Sequence, residues 1–459
     1  MHFAIHHTKQ VEDESGGKYW SYAVHVNGVH HCNVRYSQLD KFNELLKREY
    51  PDRVPAKLFP GKKLFALTRE QVLERWEQLE RYIQHVSQDP IIGVSDEFNE
   101  FFIKAQQETR SEAAQEISLN IYLMNGNKVS VTAMSTDQTD EVLEAAMKKI
   151  GLEEKFYYYF SLFMVKKDEQ GQGGMSIVRK LQDFESPYLS LEATESQHRI
   201  VIRKSYWSAK YDDDLLEDRI AMNLLYVQII DDIDRGWLLC SDEEKIQLQR
   251  LQDKGARKEL LQFARKLKYY GYLHFQPCKA DYPKADSTVL MAAGEREFNI
   301  RVKTDPNKLM EGNFRVQKIH RWRLASNLAA SESSYNLDPE ENEKNRKTSL
   351  QFAFEYLFGK GDLRWIIVDS EQAILMSMAM QGIVDEIIRE KQGKPIGKPR
   401  SMGSRSASIS SSDSLSATSS AKAKPTNSPS AGKVKKRVHK KNPEVNAVFA
   451  AEDIGDDDL

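Results

Sequence analysis

A chain of 459 residues with 66 basic against 68 acidic side chains carries a formal net charge of −2. That length argues for about three domains, and the near-neutral balance excludes a molecule steered as a whole to nucleic acid or anionic lipid, so any electrostatic role sits in local patches. No apolar run approaches the roughly 20 residues that a membrane-spanning helix needs, and the opening MHFAIHHTKQ has no apolar signal-peptide region. The three well-separated cysteines, Cys32, Cys240 and Cys278, make neither a CxxC pair nor a complete disulfide framework. A reducing cytoplasmic compartment is expected, with any membrane role confined to the surface.

The first unit is expected over residues 1–108. In YWSYAVHVNG, Trp20, Tyr22, Val24 and Val26 alternate with their neighbours, and Asn27-Gly28 supplies a hairpin turn. SQLDKFNELLKREY places Leu39, Phe42, Leu45 and Leu46 on one helical face. The loop VPAKLFPGKKLF follows, then the helical stretch TREQVLERWEQLERYIQHV. A second unit is expected over residues 115–204. Its strands EISLNIYLMNGNKVSVTAM turn at Asn125-Gly126, a helix carries Val142, Ala146 and Ile150 on one side, and FSLFMV, MSIVRKL and HRIVIRK return as strands. This is the pattern of a small ubiquitin-like α+β lobe.

Residues 205–273 read as all helix, with Ile220, Leu224, Val227 and Ile230 at helical spacing and Ser241 with Glu244 as a capping box. Residues 274–391 are again mixed. TVLMA, REFNIRV, GNFRVQKIHRWRL, SLQFAFEYL and DLRWIIVD read as antiparallel strands before the amphipathic helix SEQAILMSMAMQGIVDEIIREK, whose methionines belong to a core. Ser326 to Thr348 is too hydrophilic for a core and reads as an insertion loop. Over residues 392–459 Ser, Lys, Gly and Pro dominate. That composition cannot offset its conformational entropy by burial, so a disordered tail is expected. It contains the basic cluster GKVKKRVHKK and the acidic end AEDIGDDDL.

A phosphoinositide headgroup needs several cations on a rigid frame, preferably including a bidentate guanidinium. Arg35, followed by Tyr36 and Ser37, stands at a strand-to-helix junction, where the helix start adds a positive dipole end. Lys62 and Lys63 lie on the proline-bearing loop beside Leu64 and Phe65, and Arg75 lies on the next helix. One such lysine alone is ordinarily solvated surface charge; the order and spacing of the set single it out. Two strands, an RYS step, a basic loop and a helical arginine closely resemble a PX domain. The resemblance implies that Arg35 grips the 3-phosphate, Tyr36 packs on the inositol ring, Lys62 holds a second phosphate and Arg75 bonds ring hydroxyls. Pro60-Gly61 stands where that family usually has Pro-Pro.

The order ubiquitin-like, helical, then β-rich with a closing helix resembles a FERM module, with KLKYYGYLHF at the junction of its second and third lobes. The third lobe is similar to a PTB fold, which captures NPxY-type peptides by adding them as a strand to an open sheet edge. A PX domain followed by an atypical FERM module resembles one small group of sorting nexins. HVNGVHHCNVRYSQL, KKLFALT, RKSYW, KYYGYL, AFEYL and the terminal IGDDDL carry the likeness. It implies an adaptor peripheral to early or recycling endosomes that binds phosphatidylinositol 3-phosphate, captures NPxY or NxxY motifs in transmembrane cargo tails, and recruits the Retriever complex for recycling to the plasma membrane. Trp322, on an exposed edge strand with Arg321, Arg323 and Leu324 beside it, is the implied cargo contact. Leu459, assisted by Ile454, Asp456, Asp457 and Asp458, is the implied Retriever anchor. The same end also reads as a PDZ ligand, with Asp457 and Leu459 in the acidic and apolar positions. For the whole chain the alternative is a FERM-type membrane–cytoskeleton scaffold.

Asn446 to Phe449 has the NxxF spacing of a cargo motif. A linker of about 55 residues spans about 40 Å, enough to return this segment to the third lobe as an intramolecular ligand. No GxSxG, HExxH or CxxC motif is present, so no enzyme is expected. Asp212-Asp213-Asp214 invites a metal reading, but adjacent carboxylates more often form an interdomain charge patch, and neither metal nor cofactor is expected. His6-His7 and His30-His31 lack metal-ligand spacing with cysteine, and Gly171-Gln172-Gly173-Gly174 lacks a P-loop lysine-serine context.

Overall fold

The computed structural model describes the chain except residues 14, 64, 112, 168–174, 195–196, 306–307, 327–349, 398–444 and 451–459, and except the side chains of 167, 303–309, 326 and 445–450. Strands β1 (Phe3–Glu12), β2 (Lys18–Val26) and β3 (Val29–Arg35) form an antiparallel sheet in that order. The β2–β3 turn is made by Asn27 at φ 51° and Gly28 at φ 83°, the left-handed pair that matches a two-residue hairpin to strand twist. Helices α1 (Tyr36–Glu49), α2 (Arg69–Gln88) and α3 (Asp96–Arg110) close over Tyr22, Leu39, Phe42, Leu79, Phe98 and Phe102.

The ubiquitin-like lobe contains β4 (Glu116–Tyr122), β5 (Lys128–Met134), α4 (Thr139–Ile150), β6 (Phe160–Lys167), β7 (Met175–Lys180), α5 (Pro187–Glu192) and β8 (His198–Lys204). Its five strands run β5-β4-β8-β6-β7, with β4 parallel to β8. Val142 and Ala146 of α4 pack against Leu119 and Val131 in a core that continues into the helical lobe through Leu224, Leu225, Leu260 and Leu261. That lobe is α6 (Asp212–Leu215), α7 (Arg219–Asp234), α8 (Asp242–Asp253) and α9 (Arg257–Ala264). The capping box at α8 is reciprocal: Glu244 N donates to Ser241 Oγ at 3.2 Å, and Ser241 N donates to the Glu244 carboxylate at 2.7 Å. Of the three adjacent acids, Asp214 reaches the ubiquitin-like lobe, and the other two hold partners within residues 205–273. Buried Asp212 accepts from Tyr206 at 2.5 Å and Tyr270 at 2.7 Å, Asp213 pairs with Arg265, and Asp214 accepts from Tyr159 at 2.6 Å.

The last lobe holds β9 (Leu273–His274), β10 (Cys278–Ala280), β11 (Ser287–Gly294), β12 (Glu297–Asp305), β13 (Lys308–Arg315), β14 (Ile319–Ser326), β15 (Leu350–Gly359), β16 (Asp362–Asp369), and the closing helix α10 (Ala373–Lys391). Met376, Met380, Ile383 and Ile387 of α10 pack against Phe298, Phe314, Phe352 and Phe354, so the Met-rich face is core. The sheet order is β13-β12-β11-β10-β16-β15-β14, and one further strand, β17 (Val445–Ala450), pairs with β14. Within the tail, this segment lies along the open side of β14. An edge strand presents a row of unpaired backbone groups, and a compatible segment of the same chain satisfies them. The insertion loop from residue 327, the glycines at 171–174, and the tail at 398–444 and 451–459 lie outside the described residues.

Candidate lipid and peptide sites

The lipid candidates converge at the start of α1. Arg35 is exposed at the helix N-cap, where its backbone N donates to Gln38 Oε1 at 2.8 Å. Its guanidinium lies 5.0 Å from the centroid of the Tyr19 ring. Tyr36 donates its hydroxyl to Pro60 O at 2.7 Å, which ties the basic loop to the helix. Arg75 lies over the Tyr36 ring at 4.2 Å and donates to Gly61 O at 3.4 Å. Burial, reinforced by Asp40, raises the Tyr36 hydroxyl above its ordinary pKa against the pull of Arg75. Arg35, Tyr36, Lys62 and Arg75 thus share one neighbourhood, as their order in the sequence implies.

Two features of this site were not legible in the sequence. Lys62 is paired with Asp40 at 2.8 Å, and the hydrogen bond and charge of that carboxylate hold the ammonium above its usual pKa. Asp40 lies one helical turn after Tyr36, a position that does not by itself give Lys62 as its partner. Phe59 packs 5.5 Å from the Tyr36 ring and continues into Tyr82 at 4.8 Å, fixing the loop to α2. Phe65, beside the lysines, is 87% exposed. Leu64 lies outside the described residues.

The peptide candidates all fall on β14. The strand alternates: Trp322 and Leu324 are buried, whereas Arg321 is exposed and Arg323 half-exposed. The expectation of an exposed edge strand therefore needs a correction at Trp322. Its indole is 1% exposed, lies in the lobe's core beside α10, and donates Nε1 to Ser377 Oγ at 3.2 Å. The two-residue period sends this side chain inward and the arginines outward. Arg323 and Arg321 stack over Trp365 at 4.6 and 5.4 Å, and Arg321 Nε donates to Glu355 at 2.9 Å. Burial opposes the charge on Glu355, but hydrogen bonds from Arg321 and His320 outweigh it and keep the carboxyl below its usual pKa. Trp365, Glu355 and Ser377 were missed in sequence; in DLRWIIVD, Trp365 shares a face with Leu363 and Ile367, so the alternation gave no sign that it lies outward.

The open side of β14 carries β17 in antiparallel register. Trp322 faces Phe449, Arg323 faces Val448 and Leu324 faces Ala447, with an irregularity at Asn446 before Ala325 meets Val445. Asn446 to Phe449, singled out for its spacing, is thus on the strand that lies along the peptide candidates. Ile454, Asp456, Asp457, Asp458 and Leu459 lie outside the described residues. Among the described residues no group of three His, Cys, Asp or Glu side chains is placed to hold a metal ion, and no helix is long and apolar enough to cross a membrane.

Four family models match successive parts of the chain: "PX domain" over residues 22–105, "Sortin nexin 17/27/31, FERM domain, F1 lobe" over 117–207, "Sortin nexin 17/31, FERM domain, F2 lobe" over 208–268, and "Sorting Nexin 17 FERM C-terminal domain" over 271–388. Sorting nexin-17 of Danio rerio is 45% identical over 415 residues, covering 90% of this chain and 86% of that protein. Sorting nexin-17 of Homo sapiens is 45% identical over 401 residues, covering 87% and 84%. Sorting nexin-31 of Homo sapiens is 32% identical over 387 residues, covering 84% and 86%. A PX unit running directly into three FERM lobes, at this identity over most of the chain, settles the family: the chain belongs to the PX–FERM sorting nexins, a family of endosomal sorting adaptors.

Proposed function

We propose that the protein is a non-enzymatic cargo adaptor of the endosomal surface, which binds phosphatidylinositol 3-phosphate at Arg35, Tyr36, Lys62 and Arg75. It takes NPxY or NxxY motifs of transmembrane cargo tails as an added strand on β14, and it hands them to the Retriever complex through Ile454 to Leu459. The observation that carries the peptide part is the β14–β17 pairing, since an edge that accepts six residues of this chain offers the same backbone groups to a cargo tail. The lipid part rests on Arg75 lying over Tyr36, on the tie from Tyr36 to the loop that carries Lys62, and on Arg35 next to Tyr36 at the same helix start. Liposome sedimentation with and without phosphatidylinositol 3-phosphate, combined with calorimetry on a cargo-tail peptide, tests both halves.

In this reading β17 is an internal competitor. Deleting Asn446 to Leu459 is expected to strengthen cargo-peptide affinity by about threefold to tenfold, because a tethered strand competes at high effective concentration. Unchanged affinity in calorimetry would remove the competitor role.

The acidic end is proposed as a separate docking motif, with apolar anchors at Ile454 and Leu459, dense negative charge at Asp456 to Asp458, and a terminal carboxylate. Such a set suits a receptor that captures a chain end in a basic pocket. One glycine appended after Leu459 displaces the carboxylate and is expected to abolish Retriever recovery from cell extract. Equal recovery from the intact and the extended protein would refute the motif, and recovery of a PDZ protein in place of Retriever would assign the end to that competing class.

A further inference from the structure

The PX unit does not end at its own chain. The loop after β7 sends Phe184, 2% exposed, into the aromatic core of the PX unit. Its ring lies 5.6 Å from Phe98, 5.7 Å from Phe102, 5.9 Å from Phe3 and 5.6 Å from His31. Around this wedge the seam is closed by hydrogen bonds with every polar group buried. Gln106 of α3, 2% exposed, accepts from Ser186 N at 2.8 Å through Oε1 and donates to Ser190 Oγ at 3.1 Å through Nε2. Ser190 Oγ donates in turn to Glu185 at 2.8 Å, and Glu185 holds Arg179 bidentately at 2.6 and 2.7 Å. Burial opposes the Glu185 charge, but Arg179 keeps its carboxyl below the usual range, while burial lowers His31 to about 4 and leaves it neutral across the seam.

A second contact reaches the third lobe. The PX hairpin at Gly28 lies so close to α10 that a Cβ there would sit 3.1 Å from Ile374 Cδ1. Ile374 is one helical turn before Ser377, the residue that holds the Trp322 indole. The PX unit is therefore seated on the ubiquitin-like lobe and on the helix behind the peptide edge.

We infer that Phe184 and Gln106 are positioning residues that lock the lipid pocket and the β14 edge into one rigid orientation, so that a membrane carrying both the phosphoinositide and the cargo tail engages both sites at once. Two sites on a rigid frame turn the second binding step into an intramolecular one, whereas a loose joint spreads the second site over many orientations and lowers its effective concentration. The inference rests on the lipid and peptide sites proposed above, and its test separates the two ideas.

The test uses the full chain, with Phe184→Ala and, because that truncation reaches into the PX core, the milder Gln106→Ala. Hydrogen–deuterium exchange at residues 96–110 and 183–192 reads the seam without lipid or peptide. Both segments are expected to be protected in the wild type and to exchange at least about tenfold faster in the variants. Vesicles carrying phosphatidylinositol 3-phosphate alone, a tethered NPxY peptide alone, or both then read the consequence. The variants are expected to match the wild type within about twofold on either single decoration and to bind the doubly decorated vesicles at least about tenfold more weakly. Unprotected segments in the wild type would overturn the inference. So would variants whose seam has opened, yet which bind doubly decorated vesicles as tightly as the wild type. Absence of wild-type binding to a singly decorated vesicle would instead strike the corresponding site, while the exchange result would still report on the seam.

Discussion

Arg35→Ala is expected to abolish recruitment to phosphatidylinositol 3-phosphate vesicles while leaving the melting temperature unchanged. The side chain is exposed and takes no part in the PX core, so its removal should alter stability by no more than about 0.5 kcal/mol. In the bound state the same guanidinium would be desolvated against a phosphate at the start of α1. Losing such a charge-assisted contact costs about 2–5 kcal/mol, a fall in affinity of about thirtyfold or more. Sedimentation of the purified variant at the wild-type lipid dependence would remove Arg35 from the headgroup site.

The lipid candidates could be grouped from sequence because they are local. Arg35 and Tyr36 are adjacent, Lys62 and Lys63 sit in one loop, and Arg75 comes soon after, so spacing along the chain survives as spacing in space. The ion pair between Lys62 and Asp40 escaped notice because a carboxylate on a polar helix face gives no sign of what it will meet. The peptide edge was readable as a strand but not as a surface. Its partners come from DLRWIIVD and from the closing helix, and only the register of β15 against both β14 and β16 brings Trp365 and Glu355 under Arg321. Least legible was the seam between the PX unit and the ubiquitin-like lobe. Phe184 reads as one apolar residue in a loop, and nothing in its neighbours tells that its core belongs to a different unit. Composition gave no sign that Val445 to Ala450 would lie along a sheet built elsewhere.

Trp322→Ala is expected to eliminate binding of NPxY-type peptides and to spare binding to phosphatidylinositol 3-phosphate vesicles, since the two sites lie on different lobes. The burial of the indole changes how this result must be read. Truncating a fully buried tryptophan leaves a cavity beside α10 and costs about 3–5 kcal/mol of stability, in addition to releasing Ser377 from its Nε1 donor. Loss of peptide binding through a general melting of the third lobe would then resemble loss of a contact. Trp322→Phe separates them: it keeps most of the packing, removes the bond to Ser377, and should leave peptide affinity within about tenfold of the wild type, the range that one hydrogen bond spans. The expected pattern is therefore graded in the peptide, wild type above phenylalanine above alanine, and flat in the lipid. Calorimetry is run below the alanine variant's own melting transition, so that only folded protein is compared. A folded Trp322→Ala protein that binds peptide as the wild type does would take the indole out of the peptide site and leave it as core alone.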